Sequence, residues 1–523
     1  MRREEMIERA FAGNRFDLVV VGGGASGVGV ALDAASRGYS VCLVEQADFG
    51  KGTSSRSTKL VHGGVRYLQQ GDVKLVTEAL RERGVLRDNA PHLVRDLELI
   101  IPSYAFWEKP FYGIGLKLYD WLAGRRGFGG SRLLGAAEVR AKVPGVRSDG
   151  LLGGVLYHDG QFDDARLLVS LALTAADYGA VLVNHCRCEG VTKDADGRVD
   201  GIKVRDLETG REAGIGARAV INATGVFTDA VRRLDTPESP ALVAPSQGVH
   251  LVLDAHFLAG QTALLVPRTP DGRVLFAIPW HGRTVVGTTD TALEAPTLEP
   301  RATEDEVSFI LETAAGYLAR APRREDVRAV FAGIRPLVQA AGAESTAALS
   351  RDHTLLVSSS GMITLTGGKW TTYRNMAEDC VNRAAEVAGL ASRTCVTQRL
   401  PVHGAMKAAD LADPRSVYGS DRGRLEDLQR AEPRLAGPVH PGLTASGVEV
   451  AWAVDVEMAR TVEDVLARRT RALLLDADAA VAAAPAVARI MAERLGRDQN
   501  WARDQVADFR RMARAYQYRP EAA

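Results

Sequence analysis

FDLVVVGGGASGVGVALDAASRGYSVCLVE, Phe16 to Glu45, is the stretch that decides the fold. Its apolar run from Phe16 to Val21 reads as a buried strand, and it leads straight into Gly22, Gly24 and Gly27. In a turn of this spacing the first glycine permits the tight bend and the second lets backbone approach a pyrophosphate. The third lets the following helix pack closely on the strand. The helix N-terminus then faces the phosphates. Gly38 stops the helix, Ser40 to Val44 reads as a second strand, and Glu45 closes it about 20 residues beyond the glycines, where a carboxylate can accept from both ribose hydroxyls. A glycine triplet alone is a weak sign. Strand, turn, helix, strand and acid in succession predict a dinucleotide-binding Rossmann unit.

Two distant segments fit the same ligand. ARAVINATGVFTD gives another apolar strand, ending in Asn222, Ala223, Thr224 and Gly225, and resembles the turn by which flavoproteins return to their cofactor domain. In LTGGKWTTYRNMAEDC, Gly367 and Gly368 precede a helix whose N-terminal amides can face a flavin pyrimidine ring and stabilise negative charge there. Three segments that converge on one cofactor select FAD over NAD.

The 523 residues call for two to four domains, and 46% hydrophobic, 25% charged and 52 glycines is an ordinary globular balance. Lys+Arg and Asp+Glu both number 65, so no basic field recruits nucleic acid by net charge. Cys42, Cys186, Cys188, Cys380 and Cys395 lack the paired spacing of a zinc site; no metal is expected, a reducing cytosolic compartment fits, and Cys186 and Cys188 receive no role. No apolar signal region follows the N-terminus, and no run reaches the about 18 residues of a spanning helix. The expected location is cytoplasmic, with contact at the membrane face left open.

TSSRSTKLVHGGVRYLQQGDVKLVTEAL, from Thr53, shows neither period until about Asp72 and reads as a functional loop. Here the sequence closely resembles the FAD-dependent, quinone-linked glycerol-3-phosphate dehydrogenases, within the D-amino-acid-oxidase-like flavoprotein superfamily. The resemblance continues through FDDAR (162–166), NATG (222–225), IPW (278–280), GTTD (287–290), GIRPL (333–337), SRDHTL (350–355) and GGKWTTYR (367–374), and so covers roughly residues 15 to 400.

The resemblance implies a mixed α/β and α+β architecture: a Rossmann-type FAD-binding domain, an interleaved antiparallel substrate-binding sheet domain, and a C-terminal all-α domain. The residues agree. Short apolar runs at 248–254, 261–267, 273–279 and 283–287, separated by turn clusters, read as hairpins, and beyond about 400 the composition shifts to Ala, Arg, Glu and Leu at helical spacing. The expected boundaries are 15–100, with returns at 150–235 and 350–390, for the cofactor unit; 101–149 and 236–349 for the substrate unit; and 400–523 for the helices.

Expected on the cofactor are Gly22, Gly24, Gly27, Glu45, Thr53, Ser54, Ser55, Lys59, Gly63, Gly64, Ala223, Thr224, Gly225, Gly367, Gly368 and Lys369. A dianionic phosphate needs fixed cations, and Arg supplies a planar bidentate fork. By resemblance, Arg335 and Arg351 bind substrate, with Arg66 and Tyr67 beside them; Arg335 also reads as a surface charge pairing with an acid, and Arg351 as a local partner of Asp352. Lys369 acts on the flavin or on the substrate hydroxyl. Lys369, Arg335 and His62 form the expected catalytic set. His62, His250 and His353 all suit a general base, and His62 is preferred because its loop is expected near the flavin. His353 stands where the family usually shows tyrosine.

Residues 102–126 place Phe106, Trp107, Phe111, Tyr112, Tyr119 and Trp121 beside Lys109, Lys117, Arg125 and Arg126, a composition suited to a headgroup interface or to an aromatic wall against the C-terminal domain. The expected partners are glycerol 3-phosphate and quinone, with peripheral membrane contact; a homodimer is admitted. The rival readings are a glycerol-3-phosphate oxidase reducing oxygen, an amine or amino-acid oxidase of the same fold, and a non-catalytic FAD-binding scaffold or sensor.

Overall fold

The computed structural model describes residues 1–64, 73–124, 127–267, 269, 273–339, 353–407 and 413–518. Strand Arg15–Val21 runs into helix Ala25–Ser36 and returns as strand Val41–Val44, as the opening motif requires. These strands are the centre of a sheet in the order 353–357, 363–367, 212–222, 15–21, 41–44, 181–183. All neighbours in it are parallel except the first pair, which is antiparallel. Their near-continuous apolar runs are buried because helices cover the sheet, with Ala25–Ser36 packed between Asp164–Asp177 and Tyr373–Val387. An antiparallel extension, Cys186–Lys193 and Val199–Asp206, is paired onto the first half of Glu212–Asn222.

The second sheet is antiparallel for most of its width. Val243–Asp254 pairs along its length with Val327–Val338, and the hairpin Leu275–Trp280/Arg283–Gly287 follows beside it. The four predicted hairpin runs all lie in this sheet. Its extent differs from the sequence boundaries. Val94–Ser103, split at residue 100 by the expected boundaries, and Gly153–Phe162, assigned to the cofactor unit by the limits 150–235, pair with each other antiparallel from end to end, and Leu60–Val61 joins them. The reason is their alternation: Leu97, Leu99 and Ile101 pack with Val155, Tyr157 and Ile278 on one face, while Ile100 and Leu156 face the other core. Both strands hydrogen-bond within the second sheet and none of their partners among the described residues lies in the parallel one, so the chain leaves the parallel sheet near residue 60.

The C-terminal part is helical. Gly447–Asp455, Ala477–Leu495 and Gln499–Ala513 enclose an alanine- and valine-rich core that packs on Trp280 and Phe331 of the second sheet. One turn, Asp464–Arg469, is a π-helix, and it leads to Arg471 in the left-handed region. Val21, Val44, Asn222 and Gly367 end their strands at one edge of the parallel sheet, where a ligand crevice is expected.

Candidate functional site

A cleft of about 420 Å³ opens along that edge. It is lined by the turn after the first strand, by Glu45, by Gly50–Ser54, by Ala223–Phe227 and by Gly367–Trp370. Gly22 has φ +111°, and a Cβ on it would sit 2.6 Å from the Ala223 carbonyl oxygen. A Cβ on Gly27 would sit 1.9 Å from the Gly22 oxygen, so Gly27 serves helix packing beneath the cleft while Gly22 and Gly24 line it. Glu45 Oε2 accepts from Gly23 N at 2.6 Å and Oε1 from Ala47 N at 2.9 Å. Burial pushes its carboxyl above the ordinary range, against the pull of these two amides.

The loop is tied to the other turns. Ser54 Oγ accepts from Ala25 N at 2.9 Å at the start of the helix, and Trp370 Nε1 donates to Ser54 O at 2.8 Å. Thr53 Oγ1 donates to Ile334 O at 2.5 Å, which brings in the second sheet. Asn222 Oδ1 accepts from Thr224 N and Oγ1, at 3.2 and 2.7 Å, and so fixes the return turn. Gly367 and Gly368 have φ +78° and +74°. Three glycine turns on one crevice leave room where side chains would fill it, and this cradle fits a flavin dinucleotide.

The other expected cofactor residues lie elsewhere. Lys59 does not line the cleft: its ammonium is wholly buried, 2.8 Å from both oxygens of Asp164 in the FDDAR segment and 2.8 Å from Ser55 O. An unpaired buried ammonium would be costly, so the lysine turns inward to the carboxylate and stitches the loop to the helix that Asp164 begins. Ser55 Oγ donates to Gly50 O at 2.8 Å, and Gly63 N donates to the Tyr119 hydroxyl at 2.8 Å; both support the loop from behind. Gly64, with φ +79°, is also outside the cleft lining.

Arg66, Tyr67 and Arg351 lie outside the described residues. Arg335 is half-buried on Val327–Val338, opposite Ser246. Its Nη1 donates to Gln247 O at 3.3 Å and Asp290 Oδ1 at 3.2 Å, and its Nη2 to Thr288 Oγ1 at 3.2 Å and Thr289 O at 3.0 Å. GIRPL and GTTD are thus brought together. Lys369 lines the cleft. His62 lies 6.5 Å, ring to ring, from Phe276, and its carbonyl accepts from Thr371 Oγ1 at 3.4 Å. His250 is a core residue: its ring stacks on Phe331 at 4.8 Å, Nε2 is 2.9 Å from Thr58 Oγ1, and burial holds it well below the usual range, with Arg335 and Lys59 adding to the effect. His353 faces Asp379 at 3.1 Å. Among the described residues no His/Cys/Asp/Glu group could hold a metal ion.

Sequence reasoning missed Lys51, Leu298, Pro336 and the run Cys186–Cys188, which also line the cleft. Lys51 could have been found by extending the loop back from Thr53 through FGKG. Cys186–Cys188 could not, because their placement depends on strand Val181–Val183 lying beside Val41–Val44.

The FAD dependent oxidoreductase family model matches residues 17–374, and the C-terminal domain of alpha-glycerophosphate oxidase matches 359–502. A probable mitochondrial glycerol-3-phosphate dehydrogenase of Caenorhabditis elegans is 41% identical over 94% of this chain and 72% of that protein. The chain belongs to the FAD-dependent glycerol-3-phosphate dehydrogenase family. The human mitochondrial glycerol-3-phosphate dehydrogenase is 39% identical over 93% of this chain and 71% of its own length. The crystal structure of the Bacillus halodurans glycerol-3-phosphate dehydrogenase, complexed with FAD, superimposes with a TM-score of 0.81 at 28% identity, covering 100% of this chain and 98% of that one. Family membership makes this chain a flavoprotein.

Proposed function

We propose that this dehydrogenase oxidises sn-glycerol 3-phosphate to dihydroxyacetone phosphate and passes the electrons on to quinone. When bound, FAD supplies the two-electron acceptor at N5 for the hydride that leaves the secondary carbon. The observation that carries the substrate is Arg335. Two carbonyls, the Thr288 hydroxyl and Asp290 hold its guanidinium plane, and a fixed planar fork is what a phosphate dianion recognises. Arg66, Tyr67 and Arg351 join it as substrate ligands in this reading. Lys369 acts from the Gly367–Gly368 turn on the flavin or on the substrate hydroxyl. His62 takes the hydroxyl proton at its imidazole.

The quinone branch of the proposal rests on helix Glu108–Ala123. Tyr112, Leu116 and Tyr119 are buried, whereas Phe111, Ile114, Leu118 and Trp121 are 53%, 75%, 44% and 76% exposed and fall on one stripe. With Phe106 and the flanking Lys109 and Lys117, this outward apolar face suits the headgroup region of a bilayer. No helix among the described residues is long and apolar enough to cross a membrane.

The test is anaerobic. Glycerol 3-phosphate added to the oxidised, oxygen-free protein should bleach the flavin band, and readmitted oxygen should restore it slowly while a soluble quinone restores it fast. A flavin that does not bleach overturns the substrate; fast reoxidation by oxygen turns the reading to an oxidase.

A further inference from the structure

Beneath the cleft lies a buried cluster of charge that the proposed reaction does not use. Asp48 stands between Glu45 and the lining segment Gly50–Ser54 and is wholly buried. Its Oδ2 accepts from Arg468 Nε at 2.5 Å and Arg469 Nη1 at 2.6 Å; its Oδ1 accepts from Arg469 Nη2 at 2.8 Å and Asn184 Nδ2 at 3.2 Å. Three residues on, Lys51 pairs with Glu463 and with Glu299. Glu463 also accepts from Arg468 Nη1 at 2.8 Å. Both ends of Asp48–Lys51 are therefore held by one short segment, Glu463–Arg469, some 412 to 421 residues away in sequence.

That segment is the π-turn. Neighbouring side chains of an α-helix diverge by about 100°. The wider π-turn narrows this angle, and the consecutive Arg468 and Arg469 both reach one carboxylate. Burial alone would raise the Glu463 carboxyl; Arg468 and Lys51 together hold it below its usual range. On the loop side, Gly50 N donates to Gly23 O at 3.0 Å and Lys51 N to Asp48 O at 3.0 Å. A continuous chain of contacts thus runs from the C-terminal helices to the carbonyl of the phosphate-binding turn.

We propose that the C-terminal helical domain latches the FAD-binding loop: Glu463, Arg468 and Arg469 are positioning residues that hold Asp48 and Lys51, and through Gly50 keep the Gly22–Gly24 turn in its binding form. Asp48 takes both of its cationic partners from the C-terminal domain, whereas Lys51 also pairs with Glu299, Arg468 with Glu463 and Asp464, and Arg469 with Glu457. Undocking therefore strands the buried Asp48 carboxylate, and the loop must rearrange. The inference concerns cofactor retention and stands whether or not the substrate is glycerol 3-phosphate.

The test is a double-mutant cycle in the full-length protein, read as the FAD dissociation constant of deflavinated enzyme by flavin fluorescence. Glu463→Gln keeps the shape and removes the charge without touching the cleft, and it should weaken FAD binding about tenfold. Lys51→Met should weaken it too, and the double variant should be no weaker than the worse single one. Additive losses, or a Glu463→Gln protein that binds FAD as the parent does, would overturn the latch. Hydrogen exchange of the unsubstituted apoprotein gives a second reading that needs no variant. Amides of 46–55 should open together with those of 464–475; loop amides that exchange while the π-turn stays protected would overturn it as well.

Discussion

Around Gly22 the cofactor cleft is shaped by backbone, and its glycines act by what they lack: a Cβ on Gly22 or Gly27 would collide with a carbonyl oxygen at 2.6 or 1.9 Å. Around Asp48, directly beneath, the molecule is shaped by charge. Asp48, Arg468, Arg469, Arg166, Glu457, Asp163 and Arg471 are all at most 5% exposed and are paired with one another. The contrast teaches where sensitivity resides. The turn depends on local space and fails one residue at a time. The ionic layer depends on completeness, since a buried charge that loses its partner costs more than the pair ever contributed.

The largest effect should come from breaking that completeness at Arg166, whose two terminal nitrogens lie 2.8 and 2.7 Å from the Glu457 oxygens. Arg166→Met should cost about 3–5 kcal/mol in urea unfolding, and adding Glu457→Leu should recover at least half of the loss. A double variant as unstable as the single one would place the cost in packing and dissolve the contrast. Next comes Gly27→Ala, expected to cost up to about 3 kcal/mol and to lower the flavin-to-protein absorbance ratio of the purified protein. Gly214→Ala, with nothing within 4 Å of the added Cβ, should be neutral in both measurements.

The same contrast explains what the sequence made legible. The glycine turn, Glu45 and the two returns at NATG and GGK are each written within a few consecutive residues, and each lines the cleft as expected. Lys59 shows the limit. Its motif placed it in the right loop, but its direction was set by Asp164, 105 residues away. FDDAR was recognised as a signature without its reason. The structure supplies one: Asp163 meets Arg471 and His281 at 2.9 Å, Asp164 takes Lys59, and Arg166 takes Glu457, so one pentapeptide joins the cofactor loop, the second sheet and the C-terminal helices. Partners so far apart leave no periodic trace. The expected boundary at residue 100 cuts through Val94–Ser103 for a related reason, since the strand's apolar alternation does not say which of two sheets it joins.

Arg335 sharpens the comparison, because it is an arginine paired with an acid and yet half-buried, at 26% side-chain exposure. Arg335→Ala should leave FAD bound and cost about 1–3 kcal/mol of stability through the acceptors it strands, while kcat/KM for glycerol 3-phosphate falls roughly thirtyfold, about 2 kcal/mol. Arg335→Lys should restore only part of it, because the fork is lost. Loss of FAD with unaltered substrate dependence would move Arg335 into the structural layer. Helix Glu108–Ala123 is a third kind of region, with an apolar face that no other part of the described chain covers. Ile114→Ser or Trp121→Ser should each weaken co-sedimentation with anionic phospholipid vesicles by about 1 kcal/mol, a partial-burial value, without altering the rate with a soluble quinone. Unchanged sedimentation would remove the membrane from the reading.

The smallest expected effect lies at the rim of the ionic layer, where completeness is tuned by pH. His403 bridges Asp421 through Nε2 and Asp177 through Nδ1, each at 2.7 Å. The hydrogen bond to Asp421 raises the imidazole above its usual range; burial opposes this, and Asp177 reinforces it. A histidine whose folded value exceeds its unfolded one contributes stability that is fully present below the unfolded value, about 6.5, and is lost as pH rises through the folded value. His403→Gln should therefore cost most at pH 6, by no more than about 1 kcal/mol given the exposure of Asp177, and progressively less as the pH is raised. Melting temperatures of the two proteins across pH 5.5 to 8.5 measure it directly, the window being set by that ordinary value of about 6.5. A gap that stayed constant with pH would mean that His403 acts by shape alone, like the glycines of the cleft, and that the charged layer ends before it reaches the surface.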